Sequence, residues 1–347
     1  MIKKLRFGIV GAGAIAQTYA QSFQKCNHAS VVAVADVRRE AANALAEGLH
    51  CQGYDSHQAM IEFARPDAVV VCTPPDTHAD ISIYLLERGI HVLCEKPLSL
   101  DSDTAQKMLS AAQKSGVLLT MASKFRYVDD VVKAKSIVAS GVLGEIILFE
   151  NVFASRVDMS SRWNSDRSIS GGGVLIDNGT HSVDVLRYFL GPLAEVQVIE
   201  GKRVQGLSVE ETVRIFVRSA EGTMGSVDLS WSINKEVDSY IKIYGSNGTI
   251  SVGWHESKYR YTSGSGWNVF GNGYDKIQAI GSQIENFSRA ILAQEPLLIT
   301  PEDALASVEV VEAAYTALRR NRWTPIDGNR PSRSEFNQLL GRSSRTA

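Results

Sequence analysis

Through residue 125 the chain alternates short apolar runs with stretches of helical periodicity. Apolar runs at 5–10, 30–35, 67–72, 91–94 and 117–122 predict strands, and helices are predicted over 14–26, 38–48, 77–88 and 101–115. The run at 67–72 (DAVVVC) is continuous rather than alternating, as expected of a strand buried on both faces. Gly89 and Gly116 follow two of the helices and supply their stops. Strands and helices in strict alternation predict a doubly wound parallel sheet, so residues 1–124 read as an α/β Rossmann domain.

Beyond 125 the rhythm changes. A helix at 129–140 and a strand at 145–153 lead into a polar, irregular stretch at 155–170. A helix at 177–190 is closed by Gly191-Pro192. Strands then follow one another at 194–200, 211–218, 223–232, 237–244 and 249–253 with no helix between them, which predicts an antiparallel sheet. Asn247-Gly248 reads as the turn of a hairpin within it. Helices at 276–293 and 301–320 complete the pattern. Residues 125–329 therefore read as an α+β substrate-binding and oligomerisation domain with a large, mostly antiparallel sheet, and 330–347, rich in Ser and Arg, as a disordered tail.

The length of 347 residues fits two domains, and 44% hydrophobic with 21% charged residues is ordinary for a globular chain. A formal net charge of -2 points away from nucleic acid and anionic membranes, and no segment is long and apolar enough to cross a bilayer. Cys26, Cys51, Cys72 and Cys94 lack the CxxC spacing of a zinc site and read as reduced thiols of a cytoplasmic protein. No metal is expected. Lys3, Lys4 and Arg6 before an apolar run resemble a secretory leader, but Gly11 and Gly13 interrupt that run and a strand–turn–helix explains them better.

The turn itself reads Gly11-Ala-Gly13-Ala14-Ile15-Ala16, a G-x-G-x-x-A. Gly11 permits a tight turn, Gly13 lets the backbone approach a pyrophosphate, and Ala16 keeps the helix close to the sheet. The free N–H groups of the following helix would face the phosphates. Asp36 ends the second strand, 20 residues after Ala16, where a carboxylate can accept hydrogen bonds from the ribose hydroxyls. A 2′-phosphate there would be repelled by about 4 kcal/mol per charge pair at ~4 Å and an effective dielectric near 20. NAD is thus the expected cofactor ahead of NADP, although Arg38 and Arg39 are placed to reach a phosphate. The cofactor-facing positions are expected to be Gly11, Gly13, Ala14, Ile15, Asp36 and Arg38, then Thr73, Pro74 and His78 after the buried strand, and Glu95 with Lys96 after the next.

Glu95-Lys96-Pro97 closes the strand at 91–94 and aims a lysine into the crevice where open parallel sheets bind ligands. Gly171-Gly172-Gly173 precedes Asp177 and His181, which are i, i+4 on one helix face that Asp184 continues. These motifs together are similar to the Gfo/Idh/MocA family (glucose-fructose oxidoreductase, inositol dehydrogenase and rhizopine catabolism), with likeness from Phe7 to about Arg320. The stretch IYGSNGTI at 243–250 and the helix PEDALASVEVVEAAYTAL also resemble that family.

The resemblance implies an NAD-dependent dehydrogenase acting on a secondary alcohol of a sugar, cyclitol or nucleotide sugar. It implies Lys96, Asp177 and His181 as catalytic residues, a cis Lys96–Pro97 bond, and a homodimer or homotetramer built through the open face of the second sheet. Hydride leaves an alcohol carbon only as its hydroxyl loses a proton; an imidazole near pKa 6.5 suits the base, and an ammonium steadies the alkoxide. Which of Lys96 and His181 takes the proton stays open. The small polyhydroxylated substrate is expected to meet Lys96, Arg126, Arg156, Trp163, Asp177 and His181. Arg126 serves equally well as a domain tie, and Trp163 as a packed loop aromatic. Two further classes fit the same fold: a glycosidase that uses NAD transiently, and a catalytically silent sensor of dinucleotide or sugar.

Overall fold

The structure, a computed structural model, describes residues 4–264 and 266–326; the tail expected at 330–347 lies outside the described residues. The first sheet is wholly parallel. Its elements run β1 (Leu5–Val10), α1 (Ala14–Phe23), β2 (Ala29–Ala35), α2 (Arg39–Gly48), β3 (Gln52–Tyr54), α3 (His57–Ala64), β4 (Ala68–Val71), α4 (His78–Leu86), β5 (His91–Glu95), α5 (Ser102–Ser115) and β6 (Leu119–Ala122). The strand order is β3-β2-β1-β4-β5-β6. The strand order reverses between β1 and β4, which run parallel, and a crevice opens beyond the carboxyl ends of those strands. All four residues of β4 are buried, as its unbroken apolar run requires. The sequence pattern passes over β3 and α3, which are short and carry little apolar periodicity.

The second part adds α6 (Asp129–Ala139), β7 (Ile146–Ala154), α7 (Arg167–Ser170), α8 (Val174–Leu190), β8 (Leu193–Glu200), β9 (Thr212–Ser219), β10 (Met224–Ser230), β11 (Ser239–Gly245), β12 (Gly248–Gly253), β13 (Ser257–Tyr261) and β14 (Asn268–Gly271). Then come α9 (Lys276–Ile291), α10 (Pro301–Arg320) and the two-residue β15 (Thr324–Pro325). The sheet order is β14-β13-β12-β11-β7-β10-β9-β8-β15, with β7 and β10 parallel and the other pairs antiparallel. The hairpin expected at Asn247-Gly248 joins β11 to β12, but Gly248 is already the first residue of β12, so Ser246 and Asn247 form the loop.

Position along the chain does not decide which core a helix joins. Ile280, Ile284 and Phe287 of α9 pack with Phe7, Ala16 and Tyr19, and Ala304 and Val308 of α10 pack with Leu85, Met108 and Met121. Both late helices thus close the outer faces of the first sheet. Val310, Ala314 and Ala317, further along α10, join the core under the second sheet, so this helix clamps the two layers together.

The glycine run before α8 sets where that helix begins. It starts at Val174, three residues earlier than the sequence pattern indicates, with Gly173 as its N-cap. Glu210, from the β8–β9 connection, accepts the N–H of Gly173 at 2.8 Å and of Leu175 at 3.2 Å through Oε1, capping the helix from a distant segment. A Cβ on Gly173 would lie 2.1 Å from the Glu210 carbonyl oxygen, and one on Gly172 1.8 Å from the Tyr315 hydroxyl. The glycines are what let Glu210 and Tyr315 reach the helix end, and so what fixes Asp177 in its first turn.

Candidate active site

Lys96 ends the parallel sheet at the carboxyl side of β5, followed by a cis peptide to Pro97. Its Nζ donates to Asp177 Oδ1 at 2.5 Å and to the Asp177 carbonyl oxygen at 2.8 Å. Four residues on, one turn further along α8, His181 faces the same space and is only 6% exposed. Lys96, Asp177 and His181 therefore converge although 85 residues separate the first from the last (181 − 96). They line a cavity of about 1410 Å³ together with Gly11, Gly13, Asp36 and Thr73, so one cleft holds both the nucleotide-type turn and the polar cluster.

At the turn, Gly11 has φ +93°, and a Cβ there would stand 2.8 Å from the Cys72 carbonyl carbon and 2.9 Å from the Thr73 nitrogen. Gly13 differs: a Cβ would meet no protein atom within 4 Å and would occupy open cavity instead. The protein gives no internal reason for glycine at that position, whereas a phosphate laid against the backbone does. Gly13 also N-caps α1 without a side-chain cap, which leaves the first helical N–H groups free for an anion. Asp36 accepts Ala12 N–H at 2.7 Å and Arg38 N–H at 2.8 Å, one on each carboxylate oxygen. This locks the carboxylate at the cavity wall with lone pairs left for two ribose hydroxyls. The residues present fit a dinucleotide.

Ala14, Ile15, Arg38, Thr73, Pro74 and Glu95 also line the cavity. His78 does not. It is fully buried, with Nδ1 2.8 Å from the Pro97 carbonyl oxygen and Nε2 2.8 Å from that of Thr73. It props the loop after β4 against the loop after β5, and its ring is spent on protein carbonyls rather than ligand. Glu95 is half-buried in the cavity wall, where its removal from solvent pushes its carboxyl up; it accepts Tyr19 O–H at 2.9 Å and Lys96 N–H at 3.2 Å.

Of the expected substrate contacts, Arg126 and Arg156 lie elsewhere. Arg126 is 3% exposed and ion-paired to Asp184 at 2.8 Å and Asp303 at 3.1 Å, outside the cavity lining. Of its two readings, the tie is the one the packing selects. Asp184, seven residues after Asp177, has turned with the helix toward that arginine instead of continuing the polar face into the cavity. Arg156 is exposed and outside the lining, its backbone N–H held by Asn234 Oδ1 at 2.8 Å. Trp163 does face the cavity, 42% exposed, with Arg162 and Asn164 beside it. Trp231, Trp254, Tyr274, Phe125 and Phe153 add an aromatic wall on the second-sheet side.

Sequence reasoning passed over Lys124. The stretch Lys124–Tyr127 forms a 3₁₀ turn after β6, and its lysine, not its arginine, enters the cavity. Lys124 Nζ lies 3.2 Å from His181 Nε2. Burial, reinforced by the charges of Lys124 and Lys96, holds the imidazole well below its usual range, so it is neutral near pH 7. Burial and the charge of Lys96 bring Lys124 down to about 8. The only signal of this in the sequence was a lysine two residues after a predicted parallel strand.

A family model described as an oxidoreductase family with an NAD-binding Rossmann fold matches residues 5–123, and one described as a GFO/IDH/MocA C-terminal domain matches residues 131–251. The inositol 2-dehydrogenase of Rhizobium meliloti (strain 1021) is 26% identical over 93% of this chain and 99% of its own. The D-glucoside 3-dehydrogenase of Escherichia coli (strain K12) is 36% identical over 54% of each chain. Among solved structures, levoglucosan dehydrogenase in complex with NADH and levoglucosan superposes with a TM-score of 0.87 at 20% identity, covering 94% of this chain and 100% of that one. At that identity the superposition establishes the fold.

Proposed function

We propose, from the premise that the chain belongs to the Gfo/Idh/MocA oxidoreductase family, that it moves a hydride between NAD and a secondary alcohol or ketone carbon of a sugar or cyclitol. The observation that carries this reading is the convergence of Lys96, Asp177 and His181 in one cleft with Gly13 and Asp36. Bound NAD supplies the hydride acceptor or donor. The side chains prepare the oxygen. With two of its three N–H groups on Asp177, Lys96 has one donor left for a substrate oxygen in the cavity it lines. A neutral imidazole at His181 offers proton-accepting capacity in the same space. The aromatic wall gives the C–H faces of a ring an apolar surface, while Trp163, Arg162 and Asn164 stand at the rim.

The test is a panel of cyclitols, free sugars and alkyl glycosides incubated with NAD and followed by the absorbance of reduced nicotinamide. Reduction with at least one member is expected. Product formed without net reduction would move the protein to the transient-oxidation class, and tight dinucleotide binding with no turnover would make it a sensor.

Asp36 carries the preference for NAD. Asp36→Ala removes two charge-assisted hydrogen bonds to ribose, each worth about 1.5–3 kcal/mol. It also frees Arg38, whose Nε is 3.5 Å from Asp36 Oδ1. NAD affinity is expected to fall at least tenfold while NADP affinity holds or rises, read by quenching of intrinsic fluorescence. An unchanged ratio of the two dissociation constants would remove Asp36 from the ribose site.

The nine-stranded sheet carries helices on one face, and its other face presents Leu148, Val152, Phe216 and Tyr244, all half-exposed, among charged residues. A second copy of the chain against that face gives a homodimer, or a homotetramer by pairing of dimers. Light scattering on the eluting protein is expected to give two or four chain masses; a single chain mass would sink this assignment.

A further inference from the structure

The wall of the cavity on the second-sheet side divides in two. One part adjoins His181. The Phe125 ring stands edge-on to the imidazole with centroids 5.1 Å apart, and Phe153 and Tyr274 lie 4.6 Å and 5.2 Å from Phe125. The other part stands outside that chain of rings and consists of Val157, Met159, Trp231 and Val237, joined at the cavity by Trp163. Trp231 and Met159 belong to the core under the second sheet, and Val157 packs against that core. Val157 and Val237 remain half-exposed. Trp163 is 42% exposed, and its indole makes no ring contact among the described residues.

This apolar surface is held in place before any ligand arrives. Val157 N–H donates to the Trp231 carbonyl oxygen at 2.8 Å. Gln205, from the β8–β9 connection, donates through Nε2 to the carbonyl oxygens of Val157 and Trp231, each at 3.1 Å, and accepts Met159 N–H through Oε1 at 3.1 Å. One amide thus clamps the backbone of three wall residues, and a surface fixed in this way loses little freedom when it is covered. The charges nearby are already committed. Lys235, at the same end of the cavity, is ion-paired to Asp228, which Arg214 also holds. Arg162 lies beside Asp158. Lys276 belongs to α9, which packs on α1 and on the 3₁₀ turn of Lys124. An anionic extension such as a diphosphate would have to compete with those carboxylates. A neutral apolar group covers Trp163, Val157 and Val237 with no charge to desolvate.

We propose that the substrate is a glycoside whose aglycone is a flat, uncharged aryl group. The sugar ring presents its reacting alcohol to Lys96 and His181, and the aglycone lies against Trp163, Val157, Trp231 and Val237. The proposal rests on the dehydrogenase reading and names its substrate class. The carbinol C–H bond gives a hydride to NAD, the O–H proton is released, the O–H electron pair becomes the second bond of the carbonyl, and the glycosidic bond stays intact. The cavity of about 1410 Å³ exceeds the roughly 300–1,000 Å³ of a single-ligand pocket, as a dinucleotide together with a two-ring substrate requires. Trp163 is the specificity-determining residue, since it is the uncovered ring of this wall.

Methyl and phenyl glycosides of glucose, galactose, mannose and xylose, both anomers of each, are compared as substrates with NAD. For the sugar that is oxidised, the phenyl glycoside is expected to have a KM at least about tenfold below that of the methyl glycoside at similar kcat, because the added ring meets the wall and not the reacting carbon. Trp163→Ala should shrink that ratio to about twofold or less, and Trp163→Phe should keep most of it. A role in packing alone would change stability and leave the ratio where it was. Equal KM values in the wild type, or a ratio that survives in Trp163→Ala, would overturn the assignment. So would a uridine diphosphate sugar with a KM below that of the phenyl glycoside, which would put an anionic extension at this wall. Oxidation of cyclitols or free sugars with no glycoside turned over keeps the dehydrogenase reading and ends the aglycone site. If nothing is oxidised, that reading fails, and calorimetry on NADH-loaded protein decides the wall by itself. Phenyl glycoside binding about tenfold tighter than methyl glycoside supports it, and the absence of any phenyl preference ends it.

Discussion

Lys96→Met is expected to lower kcat by at least about 10³-fold, on the order of 4 kcal/mol of transition-state stabilisation, while NAD affinity changes less than about threefold. The reasoning is geometric. Lys96 is an ammonium held in the cleft beside His181 by Asp177, through its Oδ1 at 2.5 Å and its carbonyl oxygen at 2.8 Å. A donor held that way needs no reorganisation when negative charge develops on a substrate oxygen, which is where such groups have their largest effect. Methionine keeps the length and apolar stem but no donor. The Asp177 carboxylate then loses its counter-charge, so the variant places repulsion where the wild type places attraction. Lys96→Arg restores charge without the geometry, since a planar fork cannot occupy the space of a point donor, and it should recover little. Stopped-flow turnover alongside a direct NAD titration separates the outcomes. Parallel loss of turnover and NAD affinity would move Lys96 from the reacting oxygen to the cofactor.

The legible parts of this protein are those whose physics is local. A buried β-branched run, a glycine turn with an acidic residue one strand later, and an i, i+4 pair on a helix each announce themselves in a dozen residues, and all three stand where the pattern put them. The parts that were not legible depend on partners far along the chain. Arg126 and Lys124 are two residues apart in the same turn, and nothing local says which one faces the ligand. The decision is made by Asp184 and Asp303, which claim the arginine from α8 and α10, and by His181, which meets the lysine. His78 follows an apparent ligand loop, yet two backbone carbonyls from separate loops close around its ring. The parallel pairing of β7 with β10 joins segments about 75 residues apart (227 − 151 = 76 for Val227 and Asn151), and the docking of α9 on α1 joins residues 255 apart, as at Ser22 and Ile277. Hydrophobic periodicity gives an element's buried face, not the identity of what covers it.

Arg126→Leu is expected to destabilise the fold by about 3–5 kcal/mol, the usual consequence of breaking a buried pair from one side. Asp184 is wholly buried, and Arg126 is its counter-charge at 2.8 Å. Asp303 is less affected, being partly exposed and 3.8 Å from Arg187 Nη2. Burial already raises the Asp184 carboxyl above its ordinary value, with Arg126 and Ser123 opposing the rise. Removing Arg126 removes the chief opposition, so the folded-state pKa climbs further. A carboxyl whose folded pKa exceeds its unfolded one holds more protons when folded, so native stability falls as pH rises from the unfolded value through the folded one. The gap between variant and wild type should therefore be widest at neutral and alkaline pH and should narrow as pH falls and Asp184 takes up its proton in both. The melting temperature at pH 7.5 should drop by roughly 5–10 °C. Replacing both partners, Arg126→Met with Asp184→Leu, leaves no unpaired charge and should regain most of the loss, because the pair's own net worth is small against its desolvation. The same double variant leaves Lys96, Lys124 and His181 untouched, so it should keep its activity wherever it is folded. A single Arg126→Leu variant whose melting temperature matches the wild type's would show that Asp184 finds another partner, and the tie between the 3₁₀ turn, α8 and α10 would have to rest on apolar packing instead.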